Sequence, residues 1–217
     1  MHSLLRAPAI AQVGGFRPPD DPATSWFGRS VCLLAEQIPS FRGTELFSLL
    51  QIRCTELPFI PPALADIALL VVYMNRYEIP FELPHGEGWL VREYTASQLA
   101  NLVPFQPKTP PPVKPFPIRW RTGPPERPSW EEASTLLDMS AINDSIEGHD
   151  EFFDFPHHYD TKVGGYPTEV QHIYSNTTDY VFQIGVEEKA QWMWGDAGVA
   201  VFGRNAGGEW SFDCQSH

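Results

Sequence analysis

Apolar residues in this chain fall into short blocks set between turn-forming residues, and most blocks have the length and alternation of strands. Ser30 to Ile38 and Leu46 to Cys54 are expected as strands. Ile67 to Met74 is apolar almost throughout, the pattern of a central strand covered on both faces. GWLVREYT, from Gly88 to Thr95, alternates as an edge strand does, and a short helix is expected over Ala96 to Leu102. Four further short strands are expected at Val170 to Tyr174, Tyr180 to Ile184, Val199 to Arg204 and Trp210 to Cys214, joined through SNTTD, WGDAG and NAGG. Two segments read as helical. Ser3 to Ala11 forms a short helix interrupted by Pro8. Ser129-Trp130-Glu131-Glu132 has the form of a capping box, with Trp130, Ala133, Leu137 and Ala141 on one helical face before Gly148. The fold class expected from these elements is α+β, strand-rich, in two lobes built around antiparallel or mixed sheets.

Proline changes this picture. The chain has 217 residues and 22 prolines. Ten of those prolines fall among the 25 residues from Pro104 to Pro128, which rules out a helix there. The segment is expected as an ordered, extended crossing, with Phe116 and Trp120 buried against a lobe. It would divide a single domain, 1–217, into an N-terminal lobe, 1–103, and a C-terminal lobe, 129–217.

Charge narrows the classes of ligand. The formal net charge is −12, and nucleic acid, whose phosphates call for clustered Lys and Arg, is not an expected partner. From Ser129 to Asp160 there are nine acidic residues and no Lys or Arg. Glu131, Glu132, Asp138, Asp150, Glu151 and Asp154 are therefore the candidate contacts to a basic protein partner. Cys32, Cys54 and Cys214 are widely spaced and odd in number, as in a reduced, cytoplasmic protein. No apolar run is long enough to span a bilayer, so no membrane partner is expected. The oligomeric state is left unassigned.

Three groups of residues in the last third carry a family resemblance. They are Lys162-Val163-Gly164-Gly165-Tyr166-Pro167 with Gln171, Phe182-Gln183-Ile184, and Trp194-Gly195-Asp196-Ala197-Gly198. The N-terminal half has GGFRPPDDPATSWFG from Gly14 and LLQI around Gln51, followed by ELP. In this order the motifs resemble the YwqG-like family of bacterial domains of unknown function. The resemblance implies a two-lobed α+β domain, transfers no catalytic residue, and suggests an immunity protein that neutralises a bacterial toxin by direct binding. The two halves also echo one another: Val13-Gly14-Gly15-Phe16 matches Val163-Gly164-Gly165-Tyr166, and Leu50-Gln51-Ile52 matches Phe182-Gln183-Ile184, as an internal duplication would.

Catalytic chemistry finds little support. His149, Asp150, Glu151, Asp154, His157, His158 and Asp160 are crowded together but lack the fixed spacing of a metal site, and no GxSxG, GxGxxG or P-loop motif occurs. No metal, cofactor or catalytic residue is assigned. The principal expectation is a non-catalytic cytoplasmic binding protein. The alternative is an enzyme or small-ligand sensor whose pocket lies at the Trp192–Asp196 loop, with Trp192 and Trp194 as a wall and Asp196 as a polar contact. Gly14, Gly15, Gly164 and Gly165 are assigned to structure. So are Gln51 and Gln183, whose amides stand in apolar strands and must find partners, expected among loop backbone.

Overall fold

The computed structural model describes residues 4–129, 133, 158–171 and 179–216. Fourteen strands are present in this part of the chain. In the first half they are β1 (Ala9–Val13), β2 (Trp26–Phe27), β3 (Val31–Leu33), β4 (Ser40–Phe41), β5 (Thr44–Glu45), β6 (Phe47–Arg53), β7 (Leu69–Met74) and β8 (Trp89–Tyr94). They continue as β9 (Leu102–Pro104), β10 (Phe116–Thr122), β11 (Lys162–Val163), β12 (Tyr180–Ile184), β13 (Val199–Arg204) and β14 (Trp210–Gln215). Ten of them make one sheet in the order β14-β13-β12-β11-β1-β10-β2-β6-β7-β8, with each neighbouring pair antiparallel. The sheet curls until its two ends nearly meet, so that the fold resembles a barrel with one open seam.

This architecture corrects the α+β, two-lobed expectation. Helical structure among the described residues is limited to single turns, such as Cys54–Glu56, Pro62–Leu64 and Leu99–Asn101, and to Ala133, whose N–H donates to the Ser129 carbonyl at 2.9 Å. The last of those turns replaces the short helix expected over Ala96 to Leu102. Of the segment expected as a helix from Ser3 to Ala11, the described residues from Leu5 onward are not helical either. Pro8 cannot continue a helix, and the AIAQV that follows extends into β1.

The sheet is continuous because each half takes in a strand of the other. β1 lies between β10 and β11, and β10 lies between β1 and β2. Read outward from the central β1–β10 pair, β2, β6, β7 and β8 on one side mirror β11, β12, β13 and β14 on the other. The registers correspond residue for residue. Gln51 pairs with Trp26 and Val71, and Gln183 with Lys162 and Val201. A register shift falls between Ser48 and Leu50, and its counterpart between Tyr180 and Phe182. The alignment differs from the sequence echo in one respect. Gly164, whose N–H donates to Val181 O at 2.8 Å, corresponds to Gly28, which donates to Leu49 O at 2.9 Å, and not to Gly14.

Side-chain alternation assigns the two faces of the sheet. In β7, Leu70, Val72 and Met74 point into the main core, while Leu69, Val71 and Tyr73 point outward under β3, β9 and Phe105. β13 repeats this, with Ala200 and Phe202 inside and Val199 and Val201 outside. The proline-rich segment supplies β10 at the centre of the sheet, its Ile118 and Trp120 buried and Phe116 half-buried. Pro117 has no N–H to offer; its carbonyl accepts from Gly14 at 2.8 Å.

Candidate binding site

Where the ends of the sheet face one another, β8 meets β13 and β14. Arg204 bridges the seam on one side. Its guanidinium donates to both oxygens of Glu93 (2.9 and 3.2 Å), to both oxygens of Asp66 (3.2 and 3.1 Å) and to the Ala63 carbonyl (2.9 Å). Glu93 also accepts from the Trp210 indole N–H at 2.7 Å. These bonds hold the Asp66 carboxyl below its ordinary range, the Arg204 hydrogen bond being the leading cause.

Beside this ion cluster the seam opens into a cleft of about 770 Å³. The β7–β8 loop supplies Glu82, Leu83, Pro84 and His85, and the β13–β14 hairpin supplies Gly208, Glu209 and Ser211. Trp89, Trp210 and Phe212 form an aromatic floor. Trp89 and Phe212 lie with ring centroids 5.3 Å apart, and the Trp89 indole N–H is satisfied by Leu83 O at 2.8 Å. Trp89 and Trp210 are equivalent residues of the two halves, each opening its edge strand: Trp89 pairs with Met74 and Trp210 with Arg204.

His85 lies against the outer edge of β8. Its Nε2 accepts the Val91 N–H at 2.9 Å, and its ring meets Trp89 edge-on at 5.0 Å. Burial against these neighbours holds its pKa below the ordinary imidazole value. That shift favours the neutral ring, in which Nε2 is free to accept the Val91 N–H. Glu82 and Glu209 are exposed, and their side chains make the lining of the cleft acidic.

The sequence-assigned residues fall in three places. Glu131, Glu132, Asp138, Asp150, Glu151 and Asp154 lie outside the described residues, as does most of the helix expected from Ser129. Trp192 and Trp194 come together in the β12–β13 loop, perpendicular at 4.9 Å, and line a smaller pocket of about 150 Å³. Asp196 does not line that pocket and is exposed on the surface. The loop is bracketed by Gln191 (φ 56°) and Ala197 (φ 50°), two non-glycine residues in the left-handed region.

The remaining assigned residues organise the backbone. The Gln51 carbonyl oxygen accepts from Val31 N (2.8 Å), and its amide donates to Pro22 O (3.0 Å) and Thr24 O (2.6 Å). Gln183 accepts from Thr168 N (2.9 Å) and donates to His158 O (2.8 Å) and Asp160 O (3.0 Å). The partners are loop backbone but not the Gly-Gly turns. Gly164 and Gly165 have φ near +70°, and a Cβ on Gly165 would stand 2.2 Å from Glu126 Oε2. That carboxylate is buried with Lys162 Nζ at 2.5 Å and accepts Tyr166 N at 2.9 Å, so the KVGGY motif closes around an internal ion pair. Gly14 and Gly15 turn the chain after β1 at φ 62° and 77°.

Trp89, Trp210, His85, Glu82 and Glu209 are the residues that sequence reasoning missed. A signal was present: GEGW, ending at Trp89, and GGEW, ending at Trp210, each place a tryptophan after a Gly- and Glu-containing turn at the start of a strand. Thiol chemistry has no foothold, since burial pushes Cys54 and Cys214 up to about 12 and raises Cys32 as well. Among the described residues, no group of three His, Cys, Asp or Glu is placed to hold a metal ion, and no helix is long and apolar enough to cross a membrane.

No curated protein matches the chain. A family model does, over residues 36–203, a span from ahead of β4 to within β13 that includes both glutamine strands, β10 and the Trp loop. The chain belongs to the family described as Domain of unknown function, DUF1963.

Proposed function

We propose that this chain is a non-catalytic binding protein whose partner is a basic protein, engaged through the seam cleft. The observation that carries the reading is the cleft's composition: an aromatic floor of Trp89, Trp210 and Phe212 beneath the carboxylates of Glu82 and Glu209. A Lys or Arg side chain suits such a surface. Its aliphatic stem covers the ring edges while the cationic head reaches a carboxylate, with a cation–π contribution from tryptophan. The cleft's volume is within the range of pockets that enclose a ligand group. A net charge of −12 favours rapid encounter with a positively charged partner. The acidic residues from Glu131 to Asp154 contribute to that net charge.

Within the family, the motifs point to the YwqG-like members. In the setting that resemblance implies, the partner is a bacterial toxin in the cytoplasm, and binding neutralises it. The test uses an extended arginine- and lysine-containing peptide and its glutamate counterpart, titrated calorimetrically at low and high salt. The basic peptide is expected to bind, more weakly at high salt, and to lose affinity in Glu82→Gln/Glu209→Gln. Equal affinity for the two peptides, or unchanged affinity in the double variant, overturns the seam as the site. Growth of cells expressing a candidate toxin with and without this chain then tests neutralisation.

A further inference from the structure

The correspondence between the two halves exposes one place where they differ. At the end of β13, Arg204 packs onto the β6–β7 loop through Ala63 O and Asp66. Its counterpart at the end of β7 is Met74, since Gln51 pairs with Val71, Gln183 with Val201, and Met74 and Arg204 each lie three residues further on. The loops beneath them also correspond. Leu64 and Trp194 each stand five residues before their strand and are fully buried, and Asp66 corresponds to Asp196. In one half, then, an arginine fills the junction of hairpin and loop, with three hydrogen bonds to the loop and two to Glu93 of β8. In the other a methionine stands in its place, and a pocket of about 150 Å³ is left.

The wall of that pocket is chemically incomplete. The indole nitrogens of Trp192 and Trp194 are both buried and have no hydrogen-bond partner. Trp194 is fully buried, and each unmet donor carries a desolvation cost. The perpendicular rings allow one N–H at most to rest on the other's face, which leaves a donor over. Met74, Ile79 and Pro112 add apolar wall, Asn75 and Tyr77 add uncharged polar groups, and Arg76 and Glu78 bring one charge of each sign, so the pocket selects no net charge.

We infer that this pocket is a small-ligand site that takes a neutral, ring-sized apolar molecule bearing one hydrogen-bond-accepting oxygen, received by the Trp192–Trp194 indoles. An open pocket of about 150 Å³ has room for a benzene-sized ring. The site shares no residue with the seam cleft and does not depend on the peptide reading.

The probes are cyclohexanone and methylenecyclohexane, alike in shape and differing in the acceptor oxygen. They are titrated into the full chain while the indole N–H resonances are followed by ¹⁵N–¹H NMR, assigned through Trp192→Phe and Trp194→Phe. Cyclohexanone is expected to shift one or both of these two resonances saturably, and to bind about tenfold more tightly than methylenecyclohexane. At least one Trp→Phe variant should remove that preference. Met74→Arg, which restores the residue of the other half, should abolish the shift with the remaining tryptophan resonances unmoved. Should that variant fail to fold, Ile79→Trp fills the same space. Absence of a saturable shift, or equal affinity for both probes, overturns the inference.

Discussion

Gln51 and Gln183 stand at the centre of the same three-bond pattern. Each buries its amide on the outer face of a strand, accepts one loop N–H and donates to two loop carbonyls that lie two residues apart, Pro22 and Thr24 for the first, His158 and Asp160 for the second. Next to each, a hydroxyl completes the bond set: Ser25 Oγ accepts from Arg53 N at 2.9 Å, and Thr161 Oγ1 from Gly185 N at 3.1 Å. These loops lead into β2 and β11, the short strands that join the glutamine strands to the central pair. The amides therefore fix where each half is attached to the strand borrowed from the other.

Replacing either glutamine by leucine keeps the volume but strands three buried backbone groups. Gln51→Leu and Gln183→Leu are each expected to cost about 2–4 kcal/mol, measured as a shift in denaturation midpoint at unchanged slope. A loss below about 0.5 kcal/mol in both would show that water replaces the amides.

Gly165→Ala sets a Cβ against Glu126 and places a side chain at φ 72°. Destabilisation of about 2–4 kcal/mol is expected, because the carboxylate cannot withdraw without breaking its buried bond to Lys162. Gly15→Ala, where a Cβ meets nothing within 4 Å, should cost only the strain of its positive φ, about 1 kcal/mol. Equal losses in the two variants would contradict this account.

The Arg204 cluster predicts an acid response. The Asp66 pKa is lower in the folded protein than in the unfolded chain, so its contribution is present above the unfolded value of about 3.9 and is lost as pH falls through the lower folded value. Arg204→Met should remove that part of the pH dependence as well as lowering stability. An unchanged acid limb in the variant would show that the bridge is not the source. Asp66 is largely exposed, so the effect is modest.

His85 also makes stability fall as pH falls, but because the fold favours its neutral form. Its folded pKa lies below the unfolded value of about 6.5, so the unfolded chain takes up the proton first and stability falls as pH drops below that value. Protonation at Nε2 breaks the bond to the Val91 N–H. The Val91 amide shift should therefore titrate with the His85 ring, both with a midpoint below 6.5. A Val91 amide indifferent to pH across that range would remove His85 from the edge of β8.

Much of the fold is written locally, because a strand's alternation is decided by which of its own residues are apolar. The runs that became β6, β7, β8, β12, β13 and β14 are visible in the sequence to within a few residues, and so was the need of Gln51 and Gln183 for partners. β1 and β10 were not legible as central strands. AIAQV is short and follows a proline, and FPIRWRT, although it alternates, is hidden among prolines. What makes them central is the strand each pairs with, and those partners lie far along the chain. The exchange of β1 and β10 between halves, which replaces two lobes by one curled sheet, is likewise a matter of non-local pairing. The candidate sites divide in the same way. Trp192 and Trp194 are adjacent in sequence and could be singled out from it. Trp89 and Trp210 are brought to one cleft only because the curling sheet carries its two edges to the same seam, and whether Met74 or Arg204 closes a junction is decided by what each meets there.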